Sequence, residues 1–254
     1  MPLRPAAVLC CTVLCGAVLL SAVGCTTVSA SADRAVPAER TLDAAGLRAA
    51  TVTAADLGAG WSVTVMRPEP GRPAPAAGRE TADVPACQPV LDALAPDKGK
   101  SGPLAETDLS VAPAGRPQAT VYAGLLAFEP GRAEQVRRAL DVLLTRCRTF
   151  RSTTPVDGAS RGPGAKGAPA RPVTTLHRLE RAEAAVPEGV DAVTAFTLTD
   201  ESGGTELRRR AVVARVGTAL AFFSTLGTAA EPAPVPDERI VRAQAARLRA
   251  AQRG

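Results

Sequence analysis

Six cysteines are spread unevenly along the 254 residues: Cys10, Cys11, Cys15 and Cys25 crowd the start, and only Cys87 and Cys147 follow. This distribution constrains the fold more than any other feature. In an oxidising compartment an even pair reads as a disulfide, and two cysteines allow a single connectivity. A bridge closing about 60 residues would stabilise the fold by roughly 4 kcal/mol in the chain-entropy model. It would also oblige two well-separated segments to meet, and it would leave neither thiol free for catalysis.

The leading residues supply the compartment. MPLRPAAVLCCTVLCGAVLLSAVGC carries one positive charge, Arg4, then an uncharged apolar run and small residues before Cys25. That is the layout of a secretory signal peptide. A retained membrane helix is the weaker reading, because no basic stop-transfer cluster follows the run. Ala22-Val23-Gly24-Cys25 resembles the lipobox of bacterial lipoproteins, with Ala22 where Leu is usual. The resemblance implies that residues 1–24 are removed and that the Cys25 thiol is acylated by diacylglycerol, ordinary cleavage nearby being the alternative. Acyl chains hold a membrane by burying methylenes at about 0.8 kcal/mol each. Cys25 is therefore expected to be a lipid anchor on the extracytoplasmic face of the cell membrane. Residues 25–40, small and polar, read as a flexible tether, and residues 41–254 as a single domain.

Composition narrows the partners. The chain is rich in Ala, Arg, Gly and Pro and contains no Asn, a bias that points to a high-GC genome such as that of an actinobacterium. With one Tyr and one Trp, it offers no aromatic platform for bases, so nucleic acid is not an expected partner. A net charge of +5 fits anionic lipid headgroups or wall polymers, or a surface that Arg merely keeps soluble.

Along the chain, Trp61, Val63 and Val65 alternate behind Asp and Gly punctuation, which predicts a turn entering a strand. CQPVLDALAP, residues 87–96, predicts a short helix. In residues 131–150, Val136, Leu140, Leu143, Cys147 and Phe150 recur at spacings of three and four, which predicts a long helix with Cys147 facing the core. ATVYAGLLAF and ALAFFSTLG are apolar on both alternating faces and predict central strands. ETDLSVAP and PVTTLHRLE predict further strands. DAVTAFTLTD and TELRRRAVVARVG flank ESGG and predict a hairpin turning on Ser202, Gly203 and Gly204. The closing segment predicts a helix with Ile240, Val241, Gln244 and Leu248 on one face, whereas residues 151–172 are too rich in Pro, Gly and small residues to pack and read as a mobile loop. The order predicts an α+β fold, a largely antiparallel central sheet flanked by helices.

The lipobox, DLGAGW before the first strand, CQPVLDAL opening a helix and LLTRC closing a long one together resemble actinobacterial lipoproteins with a PknH-like extracellular sensor domain. The resemblance covers roughly residues 41–254. It implies a central antiparallel sheet flanked by helices, with a cleft for an extracytoplasmic ligand. The chain departs from the pattern at Gly58, where Pro is common, and in having one cysteine pair where some members have two. The second departure puts in doubt any cleft geometry that depends on the other bridge.

Chemistry-bearing motifs are sparse. Gly158-Ala159-Ser160-Arg161-Gly162 matches G-x-S-x-G, but that pattern needs a strand before the Ser and a helix after it, and here it sits in the Pro/Gly loop. His177, the only histidine, alternates with Thr175 and Leu179 and reads as a structural residue in a strand. Trp61 reads as a core anchor or as a cleft wall. Arg208, Arg209 and Arg210 point to both faces of a strand and read as a solvated hairpin end or as an anion grip. No cofactor or metal site is expected. The sequence thus predicts a non-enzymatic, ligand-binding or sensor-like lipoprotein whose ligand is a small molecule, a lipid or a wall polymer. The alternatives are an envelope accessory protein working through protein or lipid contacts, and a secreted serine hydrolase using Ser160 and His177.

Overall fold

Gly203 and Gly204 adopt positive φ (57° and 78°), a conformation that side-chain-bearing residues resist and that a two-residue hairpin turn demands. Ser202, expected within the turn, therefore faces Thr205 in the ladder instead, because two positive-φ glycines suffice to reverse the chain, and the register of the central hairpin follows from that tighter turn. The computed structural model of the chain describes residues 39–66, 80–94, 102–155 and 172–254. Cys25, most of the 25–40 tether and the pentapeptide containing Ser160 lie outside the described residues.

In chain order the elements are α1 (Ala44–Ala49), α2 (Ala54–Leu57), β1 (Trp61–Met66), β2 (Thr81–Ala82), α3 (Gln88–Leu94), β3 (Ala105–Pro113), β4 (Val121–Ala127) and α4 (Arg132–Arg146), followed by β5 (Thr149–Thr154), β6 (Val173–Ala182), β7 (Ala192–Ser202), β8 (Thr205–Val216), β9 (Ala219–Thr228) and α5 (Glu238–Arg253). The strands form one sheet in the order β1-β3-β4-β9-β8-β7-β6-β5-β2, with every pairing antiparallel. The fold is α+β, as the sequence predicts.

Each face of the sheet carries its own apolar core. On one face Leu47 of α1, Ala50 just after it, and Ile240, Val241, Ala245 and Leu248 of α5 pack on Leu109, Val111, Leu125, Val212, Ala214 and Phe223. On the other, Val90 and Leu91 of α3 and Leu140 and Leu144 of α4 pack on Phe150, Leu179, Phe196, Leu198, Val213 and Leu220. Period-two alternation delivers apolar residues to both faces of β8 and β9, as expected of central strands. α4 lies against β6, β7, β8 and β9, and is oriented there by Asp141, whose Oδ1 accepts from Thr194 Oγ1 at 3.0 Å and from Arg181 at 2.7 Å.

Cys87 and Cys147 are joined in a disulfide, with a Cα–Cα distance of 5.6 Å. It ties the 3-10 turn before α3 to the end of α4, and Cys147 is buried, as its place on the helical stripe predicts.

Four further expectations need correction. The long helix ends at Arg146, because Cys147 has left helical dihedrals (φ −106°, ψ 46°), and Phe150 belongs to β5. Residues 151–154, expected to open the loop, continue β5, because β6 on one side and β2 on the other supply a ladder that the polar string RSTT does not announce. The turn before β1 contains a helix, α2, whose capping box pairs Thr53 with Asp56. Finally, Glu39 and Arg40 are not free coil. The Arg40 N–H donates to the Gln252 carbonyl at 3.0 Å, and Glu39 accepts from Arg249 at 2.6 Å.

Candidate functional site

α4 covers β6 to β9, and among the described residues no helix covers the neighbouring part of the same sheet face, where a cleft of about 240 Å³ lies. Its floor follows from the strand register. Met66 of β1 pairs with Asp108 of β3, Asp108 with Gly124 of β4, and Gly124 with Phe222 of β9. The adjacent row runs from Tyr122 through Ser224 and Ala211 to Phe196. Gly124 leaves room for the Asp108 carboxylate: a Cβ there would meet Asp108 Oδ1 at 3.2 Å and oblige that side chain to shift. Met66 and Tyr122 are 43% and 40% exposed, an unusual state for large apolar side chains that share one concave surface.

Two charged groups interrupt the apolar lining. Asp108 has its pKa pushed up by burial, so a proton is held there more readily than on an ordinary aspartate. Arg209 of β8 is the cation. Arg208 and Arg210 point to the opposite face, where they line a separate polar depression with Arg178, Thr197 and Glu206. Trp61 does not line the cleft. It lies on the α1/α5 side, half-buried against that core, with the Arg239 guanidinium 5.3 Å from its ring centroid.

Arg209 connects the cleft to a second polar feature, which the sequence reading missed. Its Nη2 lies 2.9 Å from Asp200 Oδ2. Asp200 Oδ1 lies 2.7 Å from His177 Nδ1, and His177 Nε2 lies 2.7 Å from Ser152 Oγ. Ser152 Oγ in turn donates to Glu80 Oε1, the residue before β2. Adjacent strands β8, β7, β6 and β5 thus contribute one polar side chain each to a single row, which Glu80 ends. Phe150 stacks on the imidazole, with ring centroids 4.7 Å apart.

The geometry of Ser152, His177 and Asp200 is that of a serine-hydrolase triad, with a different serine from Ser160. Access to its serine is closed in this structure. Ser152 is 0% exposed and sits within a paired strand, where an attacking serine needs an open approach and donors for an oxyanion. His177, 4% exposed, is held on both ring nitrogens. This accords with its reading as a structural histidine, but its partners were not foreseen. The Asp200–Arg209 half was within reach of sequence, since a two-residue turn at Gly203-Gly204 sets Asp200 opposite Leu207 and diagonal to Arg209. Ser152 was not, because β5 carries no alternating signal.

No protein-family model matches the chain, and no curated protein matches it. Among solved structures, the crystal structure of an uncharacterized protein from Mycobacterium smegmatis, the Rv0999 ortholog, is similar at 11% identity over 86% of this chain and 99% of that one, with a TM-score of 0.39. A likeness of that size carries no conclusion about function.

Proposed function

We propose that the protein is a lipid-anchored, extracytoplasmic, non-enzymatic binding protein whose sensor-like domain takes an amphipathic small molecule in the open-face cleft. The observation that carries this reading is the cleft itself: an apolar floor interrupted by two charged groups, Asp108 and Arg209, with large apolar side chains exposed to solvent. Ligand sites are concave and mainly apolar, with a few placed polar groups. An acyl or other apolar chain fits the floor formed by Phe222, Leu126 and Tyr122, with its polar end toward Arg209. The disulfide and the signal-like leader support the extracytoplasmic assignment, and the lipobox resemblance supports anchoring through Cys25. The sensor-like part of the reading rests on the resemblance of DLGAGW, CQPVLDAL and LLTRC to PknH-like domains. In the accessory-protein alternative, the same exposed patch would meet a protein partner.

Full-length protein recovered from membranes is expected to bind dodecanoate, read by isothermal calorimetry. A Ser224→Phe variant, which fills the cleft from its floor, should lose at least tenfold in affinity with an unchanged melting temperature. Cys25→Ala should move the protein to the soluble fraction without changing that affinity. Equal binding by parent and Ser224→Phe would remove the cleft as the site.

The triad geometry favours hydrolysis as a second reading, with Ser152 in place of Ser160 as nucleophile. Burial of Ser152 and the direction of its hydroxyl toward Glu80 speak against it. A fluorophosphonate probe is expected to leave the folded protein unlabelled; labelling that disappears in Ser152→Ala would establish the hydrolase instead.

A further inference from the structure

The row from Glu80 to Asp200 can be checked by counting hydrogens. Among the described residues it contains three close contacts: Glu80 with Ser152, Ser152 with His177 at 2.7 Å, and His177 with Asp200 at 2.7 Å. Each needs one hydrogen between its heavy atoms. Ionised carboxylates and a neutral imidazole supply only two, one from the ring and one from the hydroxyl. The third contact would then set two lone pairs against each other. One extra proton completes the row, either as an imidazolium donating to Ser152 or as a protonated Glu80 doing so from the other side. Glu80 Oε1 is also 3.3 Å from His177 Nε2, so carboxylates flank the ring at both nitrogens. With that proton the row carries one net negative charge, which Arg209 balances.

We infer that Glu80, Ser152, His177 and Asp200 form a proton-binding site, in which a single retained proton fastens the Glu80 side chain over Ser152 and whose emptying lets Glu80 turn out to solvent.

Exposure decides which contact opens. The Glu80 side chain is 37% exposed, whereas that of Asp200 is 12% exposed and is held by Arg209 as well. Water can replace the partners of Glu80 at little cost, but not those of Asp200. The backbone stays in place, since the Ala82 N–H donates to Gln88 Oε1 at 2.8 Å, Gln88 Nε2 donates to the Glu80 carbonyl at 3.0 Å, and the Asp83 N–H donates to the Arg151 carbonyl at 2.8 Å. Among the described residues, the charged groups that face the ring are Glu80 before β2, Asp200 on β7 and, beyond it, Arg209 on β8. β5 contributes Phe150 and Ser152, and the α3/α4 side contributes apolar side chains and a disulfide that does not titrate. The closed form binds more protons than the open one, so its contribution to stability is present at low pH and is lost as pH rises.

The chain has one histidine, so its ring C–H resonance can be followed by NMR in the full-length protein without ambiguity. Glu80→Gln is the informative variant. An amide N–H can donate to Ser152 Oγ and supply the third hydrogen without a bound proton. The histidine transition in Glu80→Gln is expected at least one pH unit below that of the parent, and its melting temperature should fall less between pH 6 and pH 9. Coincident transitions in the two proteins would overturn the inference, as would a parent melting temperature no more sensitive to pH than that of the variant.

Discussion

Replacing Cys87 and Cys147 together by serine is expected to cost about 4 kcal/mol of stability, from the entropy regained by an unfolded chain that no longer contains a closed loop of that length. The bridge spans 60 residues of sequence and joins the turn before α3 to the end of α4, the two helices that cover one face of the sheet. Urea denaturation of the double variant beside the parent measures the loss as the difference in stability extrapolated to water, with a steeper slope in the variant because its unfolded chain, freed of the cross-link, exposes more surface. A cost below about 1 kcal/mol would mean that the unfolded protein gains little freedom and that the entropic account is wrong for this loop. The site gives the loss a local side as well. Cys147 lies two residues before β5 begins, so slackening there should also loosen Phe150 against His177.

The second large effect is expected at Gln244. It lies on the apolar stripe of α5 with Ile240, Val241 and Leu248, and is 0% exposed. Its Oε1 accepts from the Val52 N–H at 2.9 Å, and its Nε2 donates to the Ala50 carbonyl at 2.7 Å. One side chain thereby satisfies two buried backbone groups in the connection between α1 and α2, nearly two hundred residues away in sequence. Gln244→Leu keeps the volume and the apolar stripe but orphans both groups, each at about 1–3 kcal/mol. The expected loss is about 3 kcal/mol in the same urea experiment. A neutral or stabilising substitution would show that water reaches the α1–α2 connection and that the glutamine is dispensable.

Gln244 also illustrates how far the sequence reading reaches. Its place on the buried face of the last helix was legible, because a 3.6-residue period depends only on neighbours along the helix. Its partners were not, since nothing near residue 244 indicates that two backbone groups at 50 and 52 need a donor and an acceptor. Similarly, α4 was legible from its stripe, but the stripe ran on past its end into Phe150, where a strand residue fell by chance on a helical spacing. α1 and α2 are too short, at 6 and 4 residues, to display a period at all. β5 was lost because Arg151, Ser152, Thr153 and Thr154 adjoin a Pro/Gly-rich segment and share its polar character.

The cleft and the polar row divide along the same line. By itself the sequence determined the α+β class, the central strands, the existence of the β7–β8 hairpin, the pairing of Cys87 with Cys147 and the opposed directions of Arg208 and Arg209. These follow from local period, turn chemistry and counting. Tertiary structure alone decided that Ser152, His177 and Asp200 meet, since their contacts join residues 25 and 23 positions apart and Glu80 reaches Ser152 across 72. It also decided that Tyr122 lies on an open floor instead of in a closed core. Which strands become neighbours, and which part of a face a helix covers, depend on how the whole sheet buries its apolar area, and no local pattern in the chain records that outcome.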